Sequence, residues 1–114
     1  CMSSKEHNII SSAIVAGNAP IAVGTALALK KKNKTNHVWC FVGDMAFYTG
    51  TVQESIRYSE VNDLPITFVV EDNGKSVCTE TRGVWGIKES PWYVGKEKII
   101  YYQYQKKNYL ELKM

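Results

Sequence analysis

The chain has 114 residues, of which 45% are hydrophobic and 22% charged, with a formal net charge of +3. These values are ordinary for one small globular domain and mark no disordered, collagenous or disulfide-rich class. No run of eighteen apolar residues indicates a membrane span, and the first residues lack the charged and apolar blocks of a signal peptide. The positive excess is too mild and too scattered for a nucleic-acid protein. Lys30, Lys31, Lys32 and Lys34 read as a solvated helix end, where cations suit the negative pole of the helix dipole, and Lys96, Lys98, Lys106, Lys107 and Lys113 form a second, looser group. Cys1, Cys40 and Cys78 are odd in number and lack metal-ligand spacing, so free thiols in a reducing, cytoplasmic setting are expected.

Asn18-Ala19-Pro20 reads as a helix start, with Asn18 as cap and Pro20 in the first turn. The following Ile21 to Leu29 is small and apolar nearly all round, which predicts burial on several sides, against a sheet or a second subunit. The helix is expected to end in the lysine run and Asn33. His37 to Val42 is a short apolar run stopped by Gly43, the pattern of a buried strand. Thr51 to Val61 suits a helix with Val52, Ile56 and Ser59 on its inner face, broken by Asn62-Asp63-Leu64-Pro65. Ile66 to Val70 is a second buried strand, closed by Glu71-Asp72-Asn73-Gly74. Strand, helix and strand make a right-handed crossover with parallel strands. Ser76 to Tyr93 has no period and reads as a long loop, and Lys98 to Tyr104 alternates loosely enough to form a third strand.

Ligands of open parallel sheets bind outside the carboxyl ends of the strands. Gly43-Asp44 follows the first strand and Asp72-Asn73-Gly74 the second, so both loops reach one place. A carboxylate, an amide oxygen and a backbone carbonyl are hard donors suited to magnesium, with phosphate and water completing its shell. Singly, Asp44 as a helix cap and Asp72-Asn73-Gly74 as an ordinary turn are the simpler readings. Asn73 follows Asp44 by 73 − 44 = 29 residues, one helix and one strand with their turns.

That pair of motifs resembles the thiamine-diphosphate motif, a Gly-Asp-Gly opening and an Asn-Asn close. It is most similar to the alpha subunit of the 2-oxo acid dehydrogenase components, of pyruvate and branched-chain type. The resemblance continues through Ala13 to Ala28 ahead of the first motif, Gly50 and Glu54 after it, and Leu64-Pro65 before the second strand. It covers roughly residues 13–76 and implies an α/β fold with a parallel sheet and helices on both faces. Residues 1–114 then form a single, truncated diphosphate-binding domain. It implies thiamine diphosphate and Mg2+ as cofactors, with Asp44, Asn73 and the main-chain oxygen of Lys75 as metal ligands. Cofactor contacts are implied at Ala13, Val15, Gly43, Asp44, Met45, Ala46, Asn73, Lys75 and Ser76, the backbone at Ala13 and Val15 meeting the aminopyrimidine ring.

The same resemblance implies decarboxylation of a 2-oxo acid at the cofactor's thiazolium carbon, with the protein supplying position and electrostatics. The glutamate that contacts the aminopyrimidine belongs to another domain or subunit in that family, so a pyrimidine-binding, beta-type partner and an oligomer are expected. The chain alone is expected to be inactive, no catalytic residue is assigned to it, and helix 20–29 is a candidate contact surface. Two positions depart from the family. Met45 replaces the second Gly of the opening, which strains the backbone if φ is positive there and otherwise crowds the diphosphate. Asp72 replaces the first Asn of the close, adding a carboxylate that either strengthens the metal's field or repels the diphosphate.

Glu54 is read either as a solvated charge or as support for the site. His7 and His37 read as structural or surface groups. Trp85, Trp92 and Tyr93 are candidates for a substrate lid or a subunit contact. Two further functions stay open: a transketolase-like transfer of two-carbon units, which Asp72 keeps alive, and a non-catalytic α/β binding or assembly module, suggested by Met45 and the short chain.

Overall fold

A computed structural model describes residues 1–88 and 96–105. The expectations for Trp92, Tyr93, Lys106, Lys107 and Lys113 lie outside the described residues. In chain order the elements are β1 (Ser3–Ser4), β2 (Ile9–Ile10), α1 (Asn18–Lys31), β3 (Val38–Gly43), α2 (Asp44–Phe47) and α3 (Gly50–Val61). There follow β4 (Ile66–Asp72), β5 (Lys75–Ser76), β6 (Thr79–Glu80), α4 (Thr81–Trp85) and β7 (Ile99–Gln103).

The main sheet has the order β3-β4-β7 and is parallel throughout. Its register runs from Val38↔Ile66 to Gly43↔Glu71 on one side of β4 and from Phe68↔Ile99 to Asp72↔Gln103 on the other. The α/β class, the parallel crossover and the third strand are therefore as the sequence predicts. Two short antiparallel ribbons, β1–β2 and β5–β6, stand apart from this sheet.

Because strand side chains alternate, register decides which residues meet the helices. Cys40, Val42, Phe68, Val70 and Ile99 share one face and form the core with Ala19 and Ala26 of α1, Phe47 of α2, and Val52 and Ile56 of α3. Phe47, Val52, Phe68 and Val70 are wholly buried, each side chain contributing about 1.5–3 kcal/mol by leaving water. On the opposite face Val69 is buried between neighbours, while Trp39, Phe41, Ile100 and Tyr102 are exposed at 57%, 54%, 47% and 42%. Among the described residues the packed core thus occupies one side of the sheet.

Several local expectations change. Asn18 does not cap α1: it is the first helical residue, Gly17 holds the cap position without a side-chain bond, and the Asn18 amide donates to the Phe41 carbonyl at 3.0 Å. The asparagine is drawn across to the edge of β3 by a carbonyl that the sheet leaves free. Helix α1 buries one stripe, Ala19 and Ala26 with Ala22, Val23 and Leu27 partly covered, while Ile21 on its outer side is 49% exposed. Among the described residues burial on several sides is not met, Ala19 and Ala26 being the buried residues of α1.

Both long helices end by one device. Asn33 at φ +52° and Asp63 at φ +46° take the left-handed conformation just past the last turn. The N–H of Lys34 returns to the Leu29 carbonyl, and that of Leu64 to Ser59, each at 3.0 Å. These are Schellman closures, and Asn and Asp tolerate the backbone that ordinary side chains resist. Helix α3 begins at Gly50, one residue earlier than the sequence suggests, and is capped by Thr49, whose hydroxyl accepts from the Val52 N–H. The expected loop after Ser76 instead opens with the β5–β6 ribbon and α4. Elements of two and five residues are too short to impose a period.

Candidate functional site

The register ends at Gly43↔Glu71, so the chain leaves β3 at Asp44 and β4 at Asn73 from neighbouring strand ends. Adjacent strands lie about 4.8 Å apart, which brings the two loops to one cleft. All nine positions expected to meet the cofactor line that cleft: Ala13, Val15, Gly43, Asp44, Met45, Ala46, Asn73, Lys75 and Ser76. Its volume is about 500 Å3, and Ser12, Ala16, Asn18, Glu71 and Tyr104, none of them expected to meet the cofactor, are among the other residues that line it.

Asp44 opens α2 and is 2% exposed, and its Oδ2 is buried without any hydrogen-bond partner. A buried carboxylate oxygen left unsatisfied is costly and calls for a cation or a donor. The other unpartnered buried side-chain atom among the described residues, Thr81 Oγ1, is neutral and does not line the cleft. Asn73 Oδ1 accepts from the Lys75 N–H at 3.2 Å, which turns the loop tightly and leaves the amide oxygen its second lone pair. Gly74 sits at φ +75°, a conformation that suits glycine at this turn. No group of three or more His, Cys, Asp or Glu side chains fit to hold a metal occurs among the described residues. The expected set of one carboxylate, one amide and one carbonyl therefore fits a hard cation only if anionic oxygens of a ligand share it.

The two departures stand differently toward the cleft. Met45 lies within α2 and has no positive φ, so the missing glycine strains nothing; Met45 lines the cleft instead. Asp72 does not line the cleft. It is 3% exposed, and opposite it the Arg82 guanidinium bonds at 2.7 Å to Oδ2 and reaches Oδ1 at 3.5 Å. The Tyr101 hydroxyl donates to Oδ2 and the Gly74 N–H to Oδ1 at 2.8 Å. Burial works to raise this carboxyl's pKa, but the bonds from Arg82, Tyr101 and Gly74 outweigh it and bring it down to about 2. Arg82 is shifted up, chiefly by its bond to Asp72; Tyr101 is shifted up by burial and then by Asp72. The added carboxylate is not part of the cleft wall and is paired with Arg82 instead.

Trp85 donates its indole N–H to the Met45 carbonyl at 3.3 Å, and its ring lies 6.2 Å from that of Tyr48. It is thus tied to the segment that carries Asp44. Glu54 is exposed on α3 and does not line the cleft, which favours the solvated reading. His37 bonds to Thr67 Oγ1 at 2.8 Å and lies against Trp39, at the amino end of the sheet, while His7 bonds to Ser4. Cys1, Cys40 and Cys78 are free, and burial pushes the Cys40 thiol up to about 11, leaving it unreactive. No described helix is long and apolar enough to cross a membrane. Arg82 is the partner that sequence reasoning missed. The only signal for it was a carboxylate at the end of an apolar strand, which needs a cation nearby.

The family model of the dehydrogenase E1 component matches residues 1–89. The alpha subunit of acetoin:2,6-dichlorophenolindophenol oxidoreductase from Bacillus subtilis (strain 168) is 39% identical over 69 residues, 60% of this chain and 21% of that protein. The mitochondrial 2-oxoisovalerate dehydrogenase subunit alpha of Homo sapiens is 30% identical over 77 residues, 68% of this chain and 17% of that protein. The pyruvate dehydrogenase E1 component subunit alpha of Rickettsia prowazekii (strain Madrid E) is 35% identical over 66 residues, 58% of this chain and 20% of that protein. The chain thus spans at most 21% of the length of these relatives.

Proposed function

The chain belongs to the dehydrogenase E1 component family, and on that footing we propose that its cleft holds the diphosphate end of thiamine diphosphate together with Mg2+. It would do so as the cofactor-binding portion of a 2-oxo acid dehydrogenase alpha-type component. The observation that carries the reading is Asp44 Oδ2, buried and unpartnered in a cleft lined by all nine cofactor positions. Asp44 supplies a carboxylate to the metal, Asn73 its amide oxygen and Lys75 its main-chain carbonyl. The cleft positions at Gly43, Met45, Ala46 and Ser76 stand beside the diphosphate, and the backbone at Ala13 and Val15 faces the ring.

When bound, the cofactor supplies the carbon nucleophile and electron sink for decarboxylating a 2-oxo acid. This chain's part is to hold the charged end in place and neutralise it. A pyrimidine-binding, beta-type partner belongs to the same proposal; the named relatives are alpha subunits. The exposed outer side of α1 and the apolar sheet face offer it surfaces. The single diphosphate-binding domain and a reducing, cytoplasmic setting are part of this reading too.

The two alternatives have less support. A transketolase-like enzyme is disfavoured by the match to the dehydrogenase E1 component model and by relatives that are alpha subunits of dehydrogenases and an oxidoreductase. A non-catalytic module rested partly on strain at Met45, which α2 accommodates in right-handed backbone. The test is titration calorimetry of the chain with thiamine diphosphate and Mg2+, alone and with a beta-type subunit. Binding that requires both cofactor and metal, and that Asp44→Ala abolishes, is expected. No heat of binding under either condition would sink the reading.

A further inference from the structure

The geometry points to α4 as a strap that sets the separation of the two ligand loops, with Arg82 and Trp85 as positioning residues. This rests on the reading of the cleft as a metal-diphosphate site, and it adds residues that neither touch the ligand nor line the cleft. At its start α4 is fastened to the β4 loop: Thr81 N–H donates to the Gly74 carbonyl at 3.0 Å, and Arg82 grips both oxygens of Asp72, the residue before Asn73. At its end it is fastened to the β3 loop, where Trp85 donates to the carbonyl of Met45, the residue after Asp44. Gly86, left-handed at φ +63°, closes the helix directly after Trp85.

The span between the two fastenings is one short helix, and a helix is stiff along its axis where a loop of that length is not. Magnesium demands near-ideal octahedral geometry, so two donors on separate strand ends are useful only if their loops hold station. Partners behind the ligands commonly do this, and losing one weakens metal affinity or activity about 10–100-fold. The Asp72–Arg82 pair suits this task because Asp72 is nearly sealed from water and carries two further donors, Tyr101 and Gly74. The substitution of Asp for the family's Asn then has a purpose: a carboxylate is what a guanidinium fork can grip at two points.

The experiment measures Mn2+ affinity by electron paramagnetic resonance, in the presence of thiamine diphosphate, for the full chain and for Trp85→Phe, Arg82→Met, Arg82→Lys and the double variant Trp85→Phe/Arg82→Met. Trp85→Phe keeps an aromatic ring beside Tyr48 and removes only the N–H donor. The expected result is Mn2+ binding weakened roughly tenfold by Trp85→Phe and by Arg82→Met. Arg82→Lys should recover part of the loss. Fastenings in series fail when either is cut, so the double variant should be little worse than either single one. Equal affinities, within twofold, for the unsubstituted chain and Trp85→Phe would overturn the strap while leaving the site standing. Losses that simply multiply in the double variant, in step with falling thermal midpoints, would also overturn it. Failure of the unsubstituted chain to bind Mn2+ both alone and with a beta-type subunit would overturn the site and the strap together. Should Arg82→Met fail to fold, Trp85→Phe and Arg82→Lys still decide the matter.

Discussion

A buried acceptor without a donor costs about 1–3 kcal/mol, more when charged, and Asp44 Oδ2 is in that condition. Asp44→Asn should therefore leave the metal-free chain about 1 kcal/mol more stable, while abolishing any stabilisation by Mg2+ with thiamine diphosphate. Urea unfolding with and without the ligands checks both halves, and a less stable metal-free variant would count against a site built around an absent positive charge. Asp72 behaves in the opposite way, because its charge is matched. Its folded pKa of about 2 lies below the usual 3.8, so the paired carboxylate favours the folded state at all pH values above the unfolded value. That contribution is lost as pH falls from about 4 to about 2, and amounts to the order of 2 kcal/mol. Acid titration of stability should be visibly flatter in that window for Asp72→Asn than for the unsubstituted chain. Val77 carries a different cost. It is β-branched, 96% exposed and held at φ +56° between β5 and β6. Asparagine accepts that backbone far more readily, so Val77→Asn should raise stability by about 1 kcal/mol in the same unfolding assay.

The sheet shows how an element's two faces divide the labour. Phe68 and Phe41 are both phenylalanines on paired strands, yet one is wholly buried under the helices and the other is 54% exposed. Phe68→Ala should cost about 3–5 kcal/mol, and Phe41→Ala less than about 1 kcal/mol. Comparable losses at both positions would mean that the outer face is covered too. The sequence announced β3, α3 and β4 because each is long enough to carry a period and is stopped by a clear signal: Gly43, then Asn62 to Pro65, then Gly74. It could not announce which face of the strands the helices would take, since both faces are apolar. Nor could it announce α4 or the β5–β6 ribbon, whose conformations follow from fastenings to Gly74, Asp72 and Met45 made only in three dimensions. Asn18 misled for the same reason: a good cap residue found a better partner on β3.

At the scale of the molecule, the convergence of the candidate positions on one cleft was readable where chemistry and spacing coincide. Asp44 and Asn73 carry donor types that a parallel sheet must bring together once the crossover is recognised, and the cleft positions follow the strand ends. What was not readable is the support behind them. The Arg82–Asp72–Tyr101 cluster draws one member each from α4, β4 and β7, with no sequence interval that a motif would fix.

That cluster and the central place of β4 bear on the order in which the chain assembles. β4 takes one neighbour from upstream and the other from downstream. As the chain emerges from the ribosome, β3, α3 and β4 can close their crossover first, setting Asp44 beside Asn73 at an early stage. Tyr101 arrives only with β7, so until then, among the described residues, Arg82 is the side-chain donor left to Asp72 while one edge of β4 stands open. The interval between those two events is when this domain is most exposed to pairing with the wrong strand.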